Sequence, residues 1–204
     1  MSKENTQLGT TSPQKITLAS TSRYRSALLA RLKLPFDVID PGVDETPLPG
    51  EVPADLARRL AIAKANSPLA PSNQWVVGSD QVLVCQGRLM GKPHTTQNAL
   101  DQLKLCSNHH ATFYTAVCLK HRNMQLEYVS LVATEVVFRS LSASELQRYI
   151  ELEPALDCAG SFKVEGLGIS LFESVQSSDP TALEGLPLIA LTSLMRQAGI
   201  NPLS

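Results

Sequence analysis

The chain has 204 residues, a net charge of −1, 43% hydrophobic and 18% charged residues. This is the composition of a folded globular chain. It excludes a disordered segment and a protein that grips nucleic acid through a general positive field. No apolar run is long enough to span a bilayer. Residues 1–14 lack the apolar core of a signal peptide, so the expectation is a flexible N-terminal tail (1–14) on one cytoplasmic domain (15–204).

Ile16-Thr17-Leu18-Ala19 is a short strand, followed by Ser20-Thr21-Ser22 and a helix with Leu28, Leu29 and Leu32 inward. A helix cap accounts for one hydroxyl but not three. Arg23 and Arg25 stand in the first turn, where the helix dipole disfavours cations, and a bound anion reverses that penalty. Pro35–Ile39 is a second strand. The acids from Asp40 to Glu45 then form either a solvated loop or a place where Glu45 approaches a metal. Glu51–Ala70 reads as a helix starting near Pro53. Lys64 lies four residues after Leu60, close to its inward face.

Trp75-Val76-Val77 reads as a buried strand broken by Gly78 and Ser79, with Asp80 at its carboxyl end. Val82–Val84, the turn Gln86-Gly87 and Arg88–Met90 make a hairpin, closed by Gly91-Lys92-Pro93. Asp80 and Lys92 on such a frame are candidate site residues, against turn and surface roles.

Thr95–Cys106 is a helix, and Ala111–Lys120 and Gln125–Arg139 are long paired strands. Tyr114 and Thr115 fit sheet roles better than ligand contact. Ser142 with Glu145 is a capping box for a helix to about Leu152. Lys163 and Glu165 share a face if their segment is extended. Ile169–Phe172 reads as a strand, and the apolar helix from about Leu188 to Ala198 as core or a subunit contact. The four cysteines (Cys85, Cys106, Cys118, Cys158) and four histidines show no zinc spacing and read as free thiols and ordinary imidazoles.

Together these stretches resemble the Maf family of nucleotide pyrophosphatases. The motifs are LASTSRYR (Leu18–Arg25), VDET (Val43–Thr46), LA-x-AKA (Leu60–Ala65), GSDQV (Gly78–Val82), GKP (Gly91–Pro93), F-Y-T (Phe113–Thr115), CAGSFKVEG-x-G (Cys158–Gly168) and GLPL (Gly185–Leu188). Each alone is weak; their order is specific. Within the family the chain is most similar to the YceF-type subfamily acting on 7-methyl-GTP.

The resemblance implies a single α/β, ITPase-like fold, with a mixed twisted sheet flanked by helices and two lobes around a cleft. It implies hydrolysis between the α and β phosphates of a nucleoside triphosphate, with a divalent cation (Mg²⁺ or Mn²⁺). By the same resemblance, Ser20, Ser22, Arg25, Lys64 and Lys92 bind phosphate, Asp80 is the catalytic proton acceptor, and Tyr24, Gln81 and Glu165 select the base. Tyr24 stands where this subfamily often has Trp. Chemically, Asp80 and Glu45 are the candidates to hold the cation, and Lys163 is a further candidate beside Glu165. The expected partner is a small nucleotide, with no nucleic acid, no membrane and a homodimer left open. A dTTP/UTP pyrophosphatase and a nucleotide-binding regulator of cell division are the alternatives.

Overall fold

In the computed structural model, which describes residues 15–204, the apolar run Ile16–Ala19 (β1) lies between Phe36–Ile39 (β2) and Trp75–Cys85 (β3), parallel to both. The expected N-terminal tail falls outside the described residues. Parallel neighbours need crossovers, and the helices Arg23–Ala30 (α1) and Pro53–Ala65 (α2) supply them. Past β3 the sheet becomes antiparallel. Arg88–Met90 (β4) returns along the end of β3, and His110–His121 (β5), Leu126–Phe138 (β6) and Phe172–Ser177 (β7) follow. The order is β2-β1-β3-β5-β6-β7, with β4 beside β3.

Gly78 and Ser79 do not break β3. The strand runs through them as one element, paired with β5 from Val76 to Cys85. Both residues serve packing instead. A Cβ on Gly78 would stand 2.2 Å from the Ala61 carbonyl oxygen and 2.5 Å from the Ala65 nitrogen, so glycine is what lets α2 dock. Ala57, Ala61 and Ala65, one helical turn apart and fully buried, make the matching surface. The Ser79 hydroxyl donates to the carbonyls of Ala116 (2.8 Å) and Gly185 (3.0 Å).

α2 ends at Ala65, earlier than the expected Ala70. Asn66 leaves the helix and its side-chain amide donates back to the Ile62 carbonyl at 3.0 Å. Ser67 precedes Pro68, and a residue before proline is disfavoured in the helical region.

α1 and the C-terminal helix Leu188–Gln197 (α5) cover one face of the sheet, over Leu18, Val77 and Leu119. α2 covers the other, over Val76, Val82 and Cys118. A separate apolar cluster lies under Thr96–Cys106 (α3) and Ala143–Leu152 (α4). At its centre Phe113, Phe138, Phe162 and Phe172 meet edge to face, with centroids 4.9–5.7 Å apart. Two lobes result, joined through β3 and β5. α5 buries Leu188, Leu191, Leu194 and Met195, which makes it core, while Ile189 faces outward.

Ser142 and Glu145 form the expected capping box of α4. Two expectations fail nearby. Leu167–Leu171 is a short 3₁₀ turn, and the strand begins only at Phe172. A Cβ on Gly168 would meet the Lys163 carbonyl at 2.3 Å, a close approach that curls this segment against itself. Lys163 and Glu165 do not share an extended face, because the Gly166 N–H donates to the Lys163 carbonyl (3.2 Å) and closes a turn.

Candidate active site

The register explains where the cleft lies. β1 stops pairing with β3 at Ala19 opposite Gly78, and β3 continues. Asp80 is the second residue past that point, on the same side of the strand as Val76 and Gly78, the side that α2 covers. The chain leaving β1 supplies Ser20, then Ser22 and the N-terminus of α1. This is the carboxyl end of a parallel strand, where open α/β sheets place their ligands. A cleft of about 870 Å³ opens there, with walls from both lobes.

At its floor three side chains converge. Lys64 Nζ lies 2.6 Å from Asp80 Oδ1 and 2.5 Å from Glu45 Oε1. Lys64 is 4% and Asp80 6% exposed, so this lysine does not reach for solvent as inward-facing lysines usually do. One ammonium faces two carboxylates, leaving one net negative charge on the cleft floor. Burial works to raise the Glu45 carboxyl. The hydrogen bond and charge of Lys64, helped by Lys92 and Arg25, outweigh it and hold Glu45 below its ordinary value.

The hydroxyl turn makes the next wall. Ser22 caps α1, accepting the Arg25 N–H at 3.4 Å, and Ser20 Oγ accepts the Ser22 N–H at 3.1 Å. The cap itself uses one hydroxyl, that of Ser22, as expected, and Ser20 closes a local turn onto the Ser22 N–H. Both act there as acceptors, and among the described residues neither donates its own proton to a protein group. Arg25 is held by the Gly185 carbonyl (Nε, 2.9 Å) with a long contact to Ser20 Oγ (3.5 Å). Gly185 has φ +106, and its carbonyl also receives Ser79, so one carbonyl ties α1, β3 and the loop before α5 together. Lys92 is exposed on the cleft wall.

The far wall carries the residues nominated for base selection. Gln81 Nε2 contacts the carbonyls of Ala182 (2.9 Å) and Leu183 (3.2 Å) and Thr115 Oγ1 (3.1 Å). Its amide N–H groups are therefore engaged, and its carbonyl oxygen is what remains to offer a ligand. Glu165 lines the cleft and is exposed. Tyr24 also lines it, with Arg23 Cζ 4.9 Å from its ring centroid and Arg23 Nη2 donating to its hydroxyl at 2.8 Å. Lys163 is the exception among the nominated residues. It does not line the cleft; its Nζ approaches Asp157 Oδ1 at 4.0 Å. Cys158 does line the cleft, but burial first, then Asp157, pushes its thiol up to about 11, which makes it a poor nucleophile.

Several supporting residues escape sequence reasoning. Arg59 grips Glu51 with two bonds (2.6 and 2.9 Å) and donates to the Thr46 carbonyl at 3.1 Å, pinning the loop that carries Glu45. Thr115, fully buried, donates to the same Ala182 carbonyl that Gln81 uses. Glu51 and Arg59 sit eight positions apart across a loop-to-helix boundary, and no periodicity connects them. Thr115 reads as an ordinary sheet threonine.

Among the described residues, no three or more His, Cys, Asp or Glu side chains converge as a ready-made metal cage. Asp80 and Glu45 each give one oxygen to Lys64 Nζ, and among the described residues their second oxygens have no protein partner, beside a hydroxyl and arginine cradle. That donor set fits a hard cation such as Mg²⁺, which takes one or two carboxylates and completes its shell with phosphate oxygens and water.

The chain is similar to several known proteins. A 7-methyl-GTP pyrophosphatase of Xanthomonas axonopodis pv. citri (strain 306) is 53% identical over 188 residues, covering 92% of this chain and 98% of that protein. Proteins of the same name are 49% identical in Burkholderia orbicola (strain AU 1054), covering 91% and 90%, and 46% identical in Idiomarina loihiensis, covering 92% and 96%. Among solved structures, the Staphylococcus aureus Ham1 protein overlaps 62% of this chain and 73% of its own, with a TM-score of 0.43 and 16% identity. That overlap is partial and assigns no residue of the site. The model of the Maf-like protein family matches residues 15–198, and the chain belongs to that family.

Proposed function

We propose that this protein hydrolyses 7-methyl-GTP to 7-methyl-GMP and diphosphate, removing a modified nucleotide from the pool. The observation that carries the reading is the Asp80 carboxylate on the cleft floor, held by Lys64 and facing the Ser20, Ser22 and Arg25 cradle. The relatives named above support the choice of base.

The α-phosphorus is shielded by negative oxygens, so hydrolysis needs charge neutralisation and an oriented water. The Ser20 and Ser22 hydroxyls donate to phosphate oxygens. Arg25, Lys64 and Lys92 supply positive charge. Asp80 orients the water and accepts its proton as oxygen attacks the α-phosphorus and the bond to the bridging oxygen of the β-phosphate breaks. Asp80 and Glu45 would hold Mg²⁺ or Mn²⁺, which when bound neutralises charge on the phosphate oxygens. On the base side, Glu165 accepts from the guanine N1–H and N2–H₂ edge, and Tyr24 attracts the positive charge of the N7-methylated ring.

Turnover in ¹⁸O-labelled water tests the chemistry. The expected result is label in 7-methyl-GMP and none in the diphosphate. Label in diphosphate, or release of orthophosphate, overturns it.

A further inference from the structure

Two arginines stand in the first turn of α1, and they are held differently. Arg25 is tied to the Gly185 carbonyl. Arg23 lines the cleft, yet among the described residues no carboxylate lies within ion-pair distance of it, whereas Arg31 has Glu184 and Arg59 has Glu51. Its partner is a neutral phenol, through the ring contact at 4.9 Å and the hydroxyl bond at 2.8 Å. No acid in that turn offsets the helix dipole. A guanidinium on a half-buried neutral ring is a weak tether, whereas a charge-assisted bond to phosphate is a strong one. The Ser22 cap places Arg23 at the edge of the hydroxyl cradle where that phosphate would lie.

We propose that Arg23 is a specificity-determining residue with two positions: the one seen here, on the Tyr24 ring, and a second on the substrate's triphosphate. Engagement of the phosphates draws the guanidinium off the ring and uncovers it for the base. A cationic base gains most, because two cations do not share one aromatic face. The inference rests on the base-selecting role given above to Tyr24. It makes selection conditional: the ring is offered to ligands that also carry phosphates, and a free nucleoside has to displace Arg23 unaided.

The test compares two ligands on wild type and Arg23→Gln. One is 7-methylguanosine, titrated by NMR, which reads millimolar dissociation constants. The other is the non-hydrolysable α,β-methylene analogue of 7-methyl-GTP. Arg23→Gln should bind the nucleoside about threefold more tightly, as the ring is freed, and the triphosphate analogue about tenfold more weakly, as a phosphate contact is lost. A merely structural arginine would shift both the same way. Shifts of the same sign, or neither beyond about twofold, overturn the proposal. Arg23→Lys, which keeps the charge but not the planar stack, should recover most of the triphosphate affinity while binding the nucleoside like Arg23→Gln; loss of both overturns it. Arg23 is exposed, so the variants are expected to fold, and far-UV circular dichroism checks this. Running guanosine and its triphosphate analogue alongside separates the two readings. Wild type that binds the guanosine triphosphate analogue as tightly as the 7-methylguanosine one defeats the substrate assignment. Opposite signs on the guanosine pair would still decide the role of Arg23, since any purine can stack on the uncovered ring.

Discussion

Lys64 Nζ sits between Asp80 Oδ1 at 2.6 Å and Glu45 Oε1 at 2.5 Å, on a cleft floor where Lys64 and Asp80 are nearly sealed from solvent. Removing the cation leaves the buried Asp80 carboxylate unpaired, beside a Glu45 carboxylate that is half exposed. Lys64→Met should destabilise the fold by about 3 kcal/mol and lower kcat/KM by about 100-fold. Urea unfolding and steady-state kinetics check the two effects separately. A stable variant with near-normal turnover would remove Lys64 from both roles.

Gly78 sets the distance between α2 and β3, and with it the reach of Lys64. The added methyl of Gly78→Ala meets backbone atoms of Ala61 and Ala65, which cannot rotate away. A loss of about 2–3 kcal/mol is expected, with turnover reduced as the helix is pushed outward. Thermal unfolding measures the first. A variant as stable as wild type would mean that the close approach is not rigid.

Glu51 is held at about 2, against an ordinary 4.5, by the Arg59 hydrogen bonds first and the Leu48 N–H second. A lowered folded-state value means the carboxylate stabilises the fold above 4.5, and that this contribution is lost as pH falls from 4.5 towards 2. Glu51→Gln should therefore unfold more easily than wild type at pH 7, with the gap narrowing below 4.5 and closing near 2. Urea titrations across that range provide the check. A gap unchanged down to about pH 3 would contradict the Arg59 clamp.

Glu165 is exposed on the cleft wall and free to meet a base edge. Glu165→Gln keeps its size but replaces a charged acceptor. We expect kcat/KM for 7-methyl-GTP to fall about tenfold and for UTP by less than about threefold, because a pyrimidine offers no paired N1–H and N2–H₂ donors. Equal losses on both nucleotides would count against base reading by Glu165.

The residues whose role depends on local spacing were legible in the sequence. Ile16–Ala19 with its hydroxyl turn, Lys64 near the inward face of its helix, and the Ser142 and Glu145 box all stand where their patterns put them. What stayed hidden depends on partners distant in sequence. Gly78 and Ser79 look like breakers until Ala61 and the Gly185 carbonyl are seen against them. β7 is an edge strand of mostly exposed residues (Phe172–Ser177), so it lacks the alternation that marks a half-buried strand. Lys163 looked paired with Glu165 only because an extended chain was assumed; the turn at Gly166 separates them. The contact of Arg23 with Tyr24 joins adjacent residues, yet adjacency alone gives no sign of it.

The most direct test of the whole account is diphosphate release from a matched set of nucleotides, namely 7-methyl-GTP, GTP, dTTP, UTP and CTP, each with Mg²⁺ and with Mn²⁺. The account predicts kcat/KM highest for 7-methyl-GTP, by about tenfold or more over GTP, which lacks the cationic ring. A preference for dTTP or UTP would contradict the roles given to Tyr24, Gln81 and Glu165 while sparing Asp80 and Lys64. Folded protein that binds these nucleotides and releases diphosphate from none would contradict the catalytic reading itself.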